Sequence, residues 1–185
     1  MDSITDDKTT LEAFKESQAR IRSIALIHEK LYQSKNLAEI AFPEYVEDLV
    51  ANLFHTYGID RATHRLRLDI QDVHLSVDTA IPCSLIINEL VSNSLKHAFK
   101  NGKSGEVFIT LKPTTDNKYE LVVGDNGVGY PKDLDFRKTK SLGMQLVLTL
   151  TDQLEGQINL ARDNGTIFTI LFEELQHRGG GLSQW

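Results

Sequence analysis

The chain is short of the residues that staple, span or coat. It has one cysteine, Cys83, among 185 residues. No internal disulfide can form from a single thiol, and a reducing cytoplasmic setting is expected. The neighbours Ile81, Pro82 and Leu85 mark Cys83 as a buried helix residue rather than a nucleophile. No apolar run approaches the ~20 residues that cross a bilayer, so no membrane span is expected. The opening Met1-Asp2-Ser3-Ile4-Thr5-Asp6-Asp7 is acidic and has no apolar block, so no signal peptide is expected. The net charge of −6 argues against a nucleic-acid partner, which would favour a basic stripe. What is present is a globular composition, 41% hydrophobic and 25% charged. That fits one domain of ordinary size, or a smaller one with an appendage, and it is enough to bury a core.

Neither glycine nor proline occurs between Asp6 and Phe42, and residues 6–36 are expected to form one long helix. Leu11, Phe14, Gln18, Ile21, Ala25, His28 and Tyr32 recur at 3-4 spacing, the seam of a coiled coil or bundle. Gln18 and His28 make that seam imperfect. The stripe needs a partner helix, supplied by self-association or by a segment ahead of this one. His28, at a seam position, is expected to be a packed helix residue.

A second helix starts near Pro43 and ends at Gly58, with Val46, Leu49, Val50, Leu53, Phe54 and Tyr57 on its apolar face. Leu66, Leu68 and Ile70 alternate as a strand with one buried face. Asp78 and Thr79 can cap a helix over 79–99 that tolerates Pro82 in its first turn and closes at Asn101-Gly102. Strands follow at Val107–Leu111 and Tyr119–Val123. Residues 131–141 are polar, carry several charges and show no period, which predicts a mobile loop. A helix over 142–154 ends at Gly156. A hairpin, Gln157–Ala161 with Thr166–Phe172, turns at Asp163-Asn164-Gly165. The tail His177–Trp185 reads as frayed. This order favours an α+β fold, a mixed, mostly antiparallel sheet with helices on one face.

Two stretches carry chemistry. In Asn88-Glu89-Leu90-Val91-Ser92-Asn93-Ser94-Leu95-Lys96-His97-Ala98, Glu89, Asn93 and Lys96 fall on one narrow helical stripe. Ile86, Ile87 and Leu90 face elsewhere, toward the core. An amide oxygen at Asn93 suits Mg²⁺, a carboxylate at Glu89 can hold a metal-bound water or take a proton, and Lys96 can meet a phosphate. Alone, the stripe is also consistent with an ordinary solvated helix face. In Asp125-Asn126-Gly127-Val128-Gly129, a carboxylate follows a strand. Gly127 and Gly129 permit positive φ and close backbone approach. Asp125 can accept from an exocyclic amino group such as that of adenine; alone, the segment reads more readily as a hairpin turn. Ser141-Leu142-Gly143-Met144 opens a helix whose free N–H groups suit anions, and Thr166 after Gly165 can set a hydroxyl near the base.

In this order the four pieces resemble the N box (Asn88–Ala98), G1 box (Asp125–Gly129), G2 box (Ser141–Met144) and closing Gly165-Thr166 of a known superfamily. It holds the ATPases of sensor histidine kinases, gyrase-type topoisomerases, heat-shock chaperones and mismatch-repair proteins. The resemblance covers roughly residues 42–174. Ile24-Ala25-Leu26-Ile27-His28-Glu29-Lys30-Leu31-Tyr32-Gln33-Ser34, Glu44-Tyr45-Val46 and Asn88-Glu89-Leu90-Val91 further resemble sensor histidine kinases related to the HWE group.

The resemblance implies a two-layer α/β sandwich of the Bergerat type, with ATP and Mg²⁺ as cofactors. It implies that Asp125 binds the adenine amino group and Asn93 ligates Mg²⁺. Lys96 and His97 would approach the phosphates, Glu89 would position metal or a base, and residues 131–141 would form the ATP lid. Gly127, Gly129, Ser141, Leu142, Gly143, Met144 and Thr166 would complete the nucleotide site. It also implies a dimerisation hairpin ending in residues 1–41, an ATP-binding domain over 42–175, and a tail over 176–185. The expected partners are a response regulator and a second copy of the chain through residues 6–36. The acceptor histidine would lie in a His-His-Arg-Val-Lys-Asn-Asn-like box on a helix ahead of residue 1. This chain has no such box, and the expectation is a hairpin lacking its first helix, unable to phosphorylate itself. The G2 box carries one glycine where related kinases often carry two. The alternatives are an anti-sigma-type serine kinase and a non-catalytic dimerisation module on the same fold.

Overall fold

A computed structural model describes residues 3–33, 39–71, 73–99, 104–114, 118–162 and 164–175. The last residues of the expected first helix (34–36), the helix closure at Asn101-Gly102, Asp163 of the hairpin turn and the tail from His177 lie outside the described residues.

The elements run α1 (Ser3–Gln33), β1 (Glu39–Ala41), α2 (Phe42–Thr56), β2 (His64–Ile70), β3 (His74–Ser76), α3 (Val77–His97), β4 (Gly105–Pro113), β5 (Lys118–Asp125), a 3₁₀ turn (Phe136–Lys138), α4 (Leu142–Gln153), β6 (Gln157–Ala161) and β7 (Thr166–Glu173). Five strands make one sheet in the order β2-β4-β5-β7-β6. β2 lies parallel to β4; every other neighbour is antiparallel. The expected mixed, mostly antiparallel α+β architecture is observed. Two three-residue strands, β1 and β3, pair separately and were not expected; strands that short carry no readable alternation.

Period-two burial builds the floor of the core. Val107, Ile109 and Leu111 of β4 are buried, while Phe108, Thr110 and Lys112 are half-exposed. Leu121, Val123, Phe168, Ile170 and Phe172 continue the same face and form one cluster with α2, α3 and α4. On α2, Phe42, Tyr45, Val46, Leu49, Val50, Leu53 and Phe54 are buried at helical spacing. Pro43 opens this helix without forfeiting a hydrogen bond, and Gly58 at φ 64° follows it. Cys83 is fully buried, and desolvation pushes its thiol far above the usual range.

α1 docks on α2 and α3 through a face other than its apolar seam. Ala19 and Ser23 are buried. The Tyr45 hydroxyl donates to the Ser23 carbonyl (3.1 Å), and Asn88 Nδ2 donates to Ser23 Oγ (2.5 Å). Ser23 Oγ in turn donates to the Ala19 carbonyl (2.9 Å). Small residues let the backbones approach, and this chain of hydrogen bonds satisfies the polar groups that the approach buries. The seam residues Leu11, Phe14 and Ile21 remain 54%, 61% and 66% exposed.

Candidate functional site

α3 is the wall of the site. Its residues Ile86, Ile87, Leu90 and Val91 are buried in the core, which fixes the rotation of the helix and turns Asn93 toward the end of β5. At that end Asp125 is 1% exposed. Ser94 Oγ donates to Asp125 Oδ2 (2.7 Å), and the Gly127 N–H donates to Oδ1 (2.9 Å). The Thr166 N–H also points at Oδ1, at 3.4 Å. These donors satisfy a buried carboxylate and hold its orientation.

The turn after Asp125 is pressed onto the end of α3. The Val128 N–H donates to the Ala98 carbonyl (3.0 Å). A Cβ at Gly127 would stand 2.4 Å from that same oxygen, so only glycine permits the approach. Gly129 has φ 81°. Asn126 Oδ1 accepts from the Glu106 N–H (2.7 Å), pinning the turn to β4.

Between α3, this turn, the 131–141 segment and the sheet lies a cavity of about 400 Å³. Asn93, His97, Asp125, Gly129, Ser141, Met144 and Thr166 all line it. Leu90, Val123, Val128 and Phe168 give it an apolar middle, and Thr139 adds a hydroxyl. The lining thus combines a fixed carboxylate and bare backbone with an amide, an imidazole and the start of α4. A flat, amino-bearing ring with an anionic tail matches that polarity.

Five of the expected residues stand outside the lining: Glu89, Lys96, Gly127, Leu142 and Gly143. Gly127 supports the turn from behind, and Leu142 is 65% exposed. Glu89 is buried beside α1, where Arg20 clasps it with Nε to Oε1 (2.6 Å) and Nη2 to Oε2 (2.9 Å). The hydrogen bond to Glu89 raises the Arg20 pKa. Lys96 is ion-paired with Glu16 of α1 and lies over the Tyr57 ring, 5.6 Å from its centroid. Gly143 backs onto the Glu89 carboxylate. The stripe Glu89–Asn93–Lys96 is therefore split: its middle faces the cavity, and its two ends face α1.

The 131–141 segment, expected to be mobile, is anchored at several points. Phe136 is 4% exposed, with its ring 5.5 Å from that of Phe168 at 80°. Arg137 Nη2 donates to the Ile158 carbonyl (2.7 Å), and Arg162 donates to the carbonyls of Leu134 (2.7 Å) and Lys132 (3.3 Å). A lone aromatic among charges shows no period, so its burial left no mark in the pattern. Tyr130, also unforeseen, lines the cavity edge-on to Phe168 (6.1 Å). Burial raises its hydroxyl pKa, partly offset by Arg162. Ser94 was unforeseen as well. The available signal was a hydroxyl next to Asn93 on a helix that must face the strand end.

Among the described residues no group of three or more His, Cys, Asp or Glu side chains is placed to hold a metal. A hard cation here would rest on Asn93 and on the oxygens of its ligand, as Mg²⁺ does when it keeps waters and bridges phosphates.

Residues 78–176 match the family described as histidine kinase-, DNA gyrase B-, and HSP90-like ATPase, and residues 2–57 match one described as histidine kinase. The sensor histidine kinase PdtaS of Mycobacterium tuberculosis is 31% identical over 159 residues, covering 84% of this chain and 31% of that protein. Blue-light-activated histidine kinase 2 of Erythrobacter litoralis is 28% identical over 149 residues, covering 76% of this chain and 42% of that protein. The chain thus spans about a third of the length of the first of these relatives. In fold it is similar to the histidine kinase domain of the Erythrobacter litoralis EL346 blue-light-activated histidine kinase. The TM-score is 0.77 at 24% identity, over 86% of this chain and 75% of that one.

Proposed function

The chain belongs to the histidine kinase-, DNA gyrase B- and HSP90-like ATPases, and from that premise we propose that it is the ATP-binding catalytic part of a two-component sensor histidine kinase. In this reading residues 1–41 end a dimerisation hairpin, 42–175 bind ATP and 176–185 are a tail. The observation that carries the reading is the shared cavity: Asp125 and Asn93, from different elements, open into one space.

Asp125 holds the adenine amino group, with Ser94 and Gly127 fixing its carboxylate. Val123, Met144 and Phe168 enclose the ring, and Gly129 and Thr166 border it. Asn93 and His97 face the phosphates together with Ser141 at the start of α4. Asn93 would hold Mg²⁺, which would supply charge neutralisation at the phosphates. The side chains supply position and charge rather than a covalent intermediate. The γ-phosphoryl passes to a histidine outside these residues, then to an aspartate of a response regulator. None of the six histidines of this chain stands in an acceptor box. Among the described residues no helix is long and apolar enough to cross a membrane, and the proposed site of action is the cytoplasm. The long α1 and the histidine kinase match over residues 2–57 support this reading over an anti-sigma-type serine kinase.

Calorimetry with Mg-ADP tests it. Asp125→Asn removes a charged acceptor, for a loss of about 1.5–3 kcal/mol, or roughly 10-fold to over 100-fold in affinity. Unchanged affinity would remove the adenine assignment. Incubated alone with γ-labelled ATP, the chain should stay unlabelled; acid-labile label on it would reopen His28 as an acceptor.

A further inference from the structure

Four charges alternate across the α1–α3 contact: Lys96, Glu16, Arg20 and Glu89. Lys96 pairs with Glu16, Glu16 lies 3.8 Å from Arg20, and Arg20 forks onto Glu89. The two ends of this row are unequal. The Arg20–Glu89 fork has two parallel hydrogen bonds, with side chains 16% and 6% exposed. The Lys96–Glu16 pair has 17% and 30% exposure and holds a flexible ammonium. A planar, buried fork is the harder of the two to open, because separating it strands a buried charge. An ammonium beside a partly solvated carboxylate exchanges partners at small cost.

Lys96 sits one turn beyond Asn93, on the stripe whose middle faces the cavity. A lysine at that position is the cation of α3 nearest in sequence to Asn93 that a phosphate could recruit, and here it is paired with Glu16 of α1 instead. The docked arrangement is also imperfect. The Tyr57 hydroxyl is buried without a hydrogen-bond partner, on the ring against which the Lys96 ammonium rests. An unsatisfied buried hydroxyl weakens the state that contains it.

We propose that Glu16 is a positioning residue of the nucleotide site: it withholds Lys96 from the phosphates, so that docking of the α1 turn around Glu16 and binding of a polyphosphate in the cavity oppose each other. Arg20 and Glu89 are the fixed pivot of this contact. Any movement of α1 that separates Glu16 from Lys96 then raises polyphosphate affinity, and a bound polyphosphate loosens α1 in return, because coupling between two sites is reciprocal. The proposal rests on the ATP reading above.

The test is calorimetry on the full chain with adenosine and with Mg-ATP. Glu16→Gln keeps shape and partial exposure but removes the charge that holds Lys96. It should tighten Mg-ATP about two- to five-fold, the range that a weak, partly solvated ion pair commands. Adenosine, which has no phosphate, should bind Glu16→Gln and the unaltered chain alike. In a Lys96→Met background the gain from Glu16→Gln should vanish, which separates a handover of Lys96 from a general loss of negative charge. Equal tightening of adenosine, no tightening of Mg-ATP, or a gain that survives Lys96→Met each overturns the proposal. Failure of the unaltered chain to bind either ligand would overturn the ATP reading itself, and this inference with it.

Discussion

Gly143 backs onto the carboxylate of Glu89: a Cβ there would stand 2.3 Å from Oε2 and 3.8 Å from Arg20 Nη2. The first turn of α4 thus rests against the ion pair that docks α1 on α3. In an ordinary helix, replacing glycine by alanine adds up to about 1 kcal/mol of stability. Here Glu89 cannot swing aside without giving up its two bonds to Arg20. Gly143→Ala should therefore cost about 1–3 kcal/mol, the penalty of loosening a buried charged hydrogen bond. In a Glu89→Ala background the same change should be neutral or stabilising. Denaturant melts of the four proteins measure the coupling. A stabilised Gly143→Ala single variant would show that α4 does not press on Glu89.

Two other glycines separate backbone strain from collision. Gly58 has φ 64° and open space around its missing Cβ. Gly58→Ala should cost only the left-handed penalty, about 1–2 kcal/mol. Gly165 has φ 129°, and a Cβ would meet the Asp125 carbonyl oxygen at 1.8 Å. Gly165→Ala must push β7 off β5 where Asp125 pairs with Thr166. We expect it to lose more than about 3 kcal/mol, strain and a broken ladder together, and to lose Mg-ADP binding. Similar melts for the two variants would contradict the observed register.

The parts of this molecule that were legible in the sequence are those written as periods or fixed turns. Alternation at Val107, Ile109 and Leu111, the Asn164-Gly165 turn and the helical spacing of Val46, Leu49, Val50 and Leu53 each state a local geometry. The joint cavity was legible only through the resemblance of the four motifs to a known superfamily, which implies that Asp125 and Asn93 share a nucleotide site. What stayed hidden is the choice of neighbour. A stripe containing Glu89, Asn93 and Lys96 gives an angle on a helix, and says nothing of a second helix standing at two of its three positions. Glu16 and Arg20 stand four residues apart, a spacing that any surface pair on a helix can have. The seam of α1 announced a partner, while its docking face of Ala19 and Ser23 has no hydrophobic signal at all.

The same reasoning applies to the 131–141 segment, where one buried ring, Phe136, is among several anchors. Phe136→Ala removes the contact with Phe168 and leaves the loop to the polar contacts of Arg137, Arg162 and Gln145. A buried Phe→Ala change costs about 3–5 kcal/mol where its surroundings cannot collapse. Since this ring sits on a loop, the cost should appear as local opening rather than global unfolding. Trypsin should cut Phe136→Ala after Arg137, Lys138 or Lys140 at least about ten-fold faster than the unaltered chain, the factor that 1.4 kcal/mol of easier opening supplies. The midpoint of thermal unfolding should move far less. Equal cleavage rates would mean that Phe136 does not hold the segment.

Which face of α1 is docked can be read from stability alone. Phe14 and Ile21 are 61% and 66% exposed, whereas Ala19 is 4% exposed and sits in the core cluster with α2 and α3. Phe14→Gln and Ile21→Gln remove apolar surface that already faces water, so each should change stability by no more than about 0.5 kcal/mol. Ala19→Leu forces a larger side chain into a close-packed contact and should cost about 1–3 kcal/mol. The reverse order would mean that the seam, and not the small-residue face, is packed. The glutamine variants carry a second readout. If the seam joins two copies of the chain, as proposed for a dimerisation hairpin, Phe14→Gln with Ile21→Gln should lower the sedimentation coefficient at high concentration without touching the melt. Self-association that survives both substitutions would move the dimer contact off this stripe.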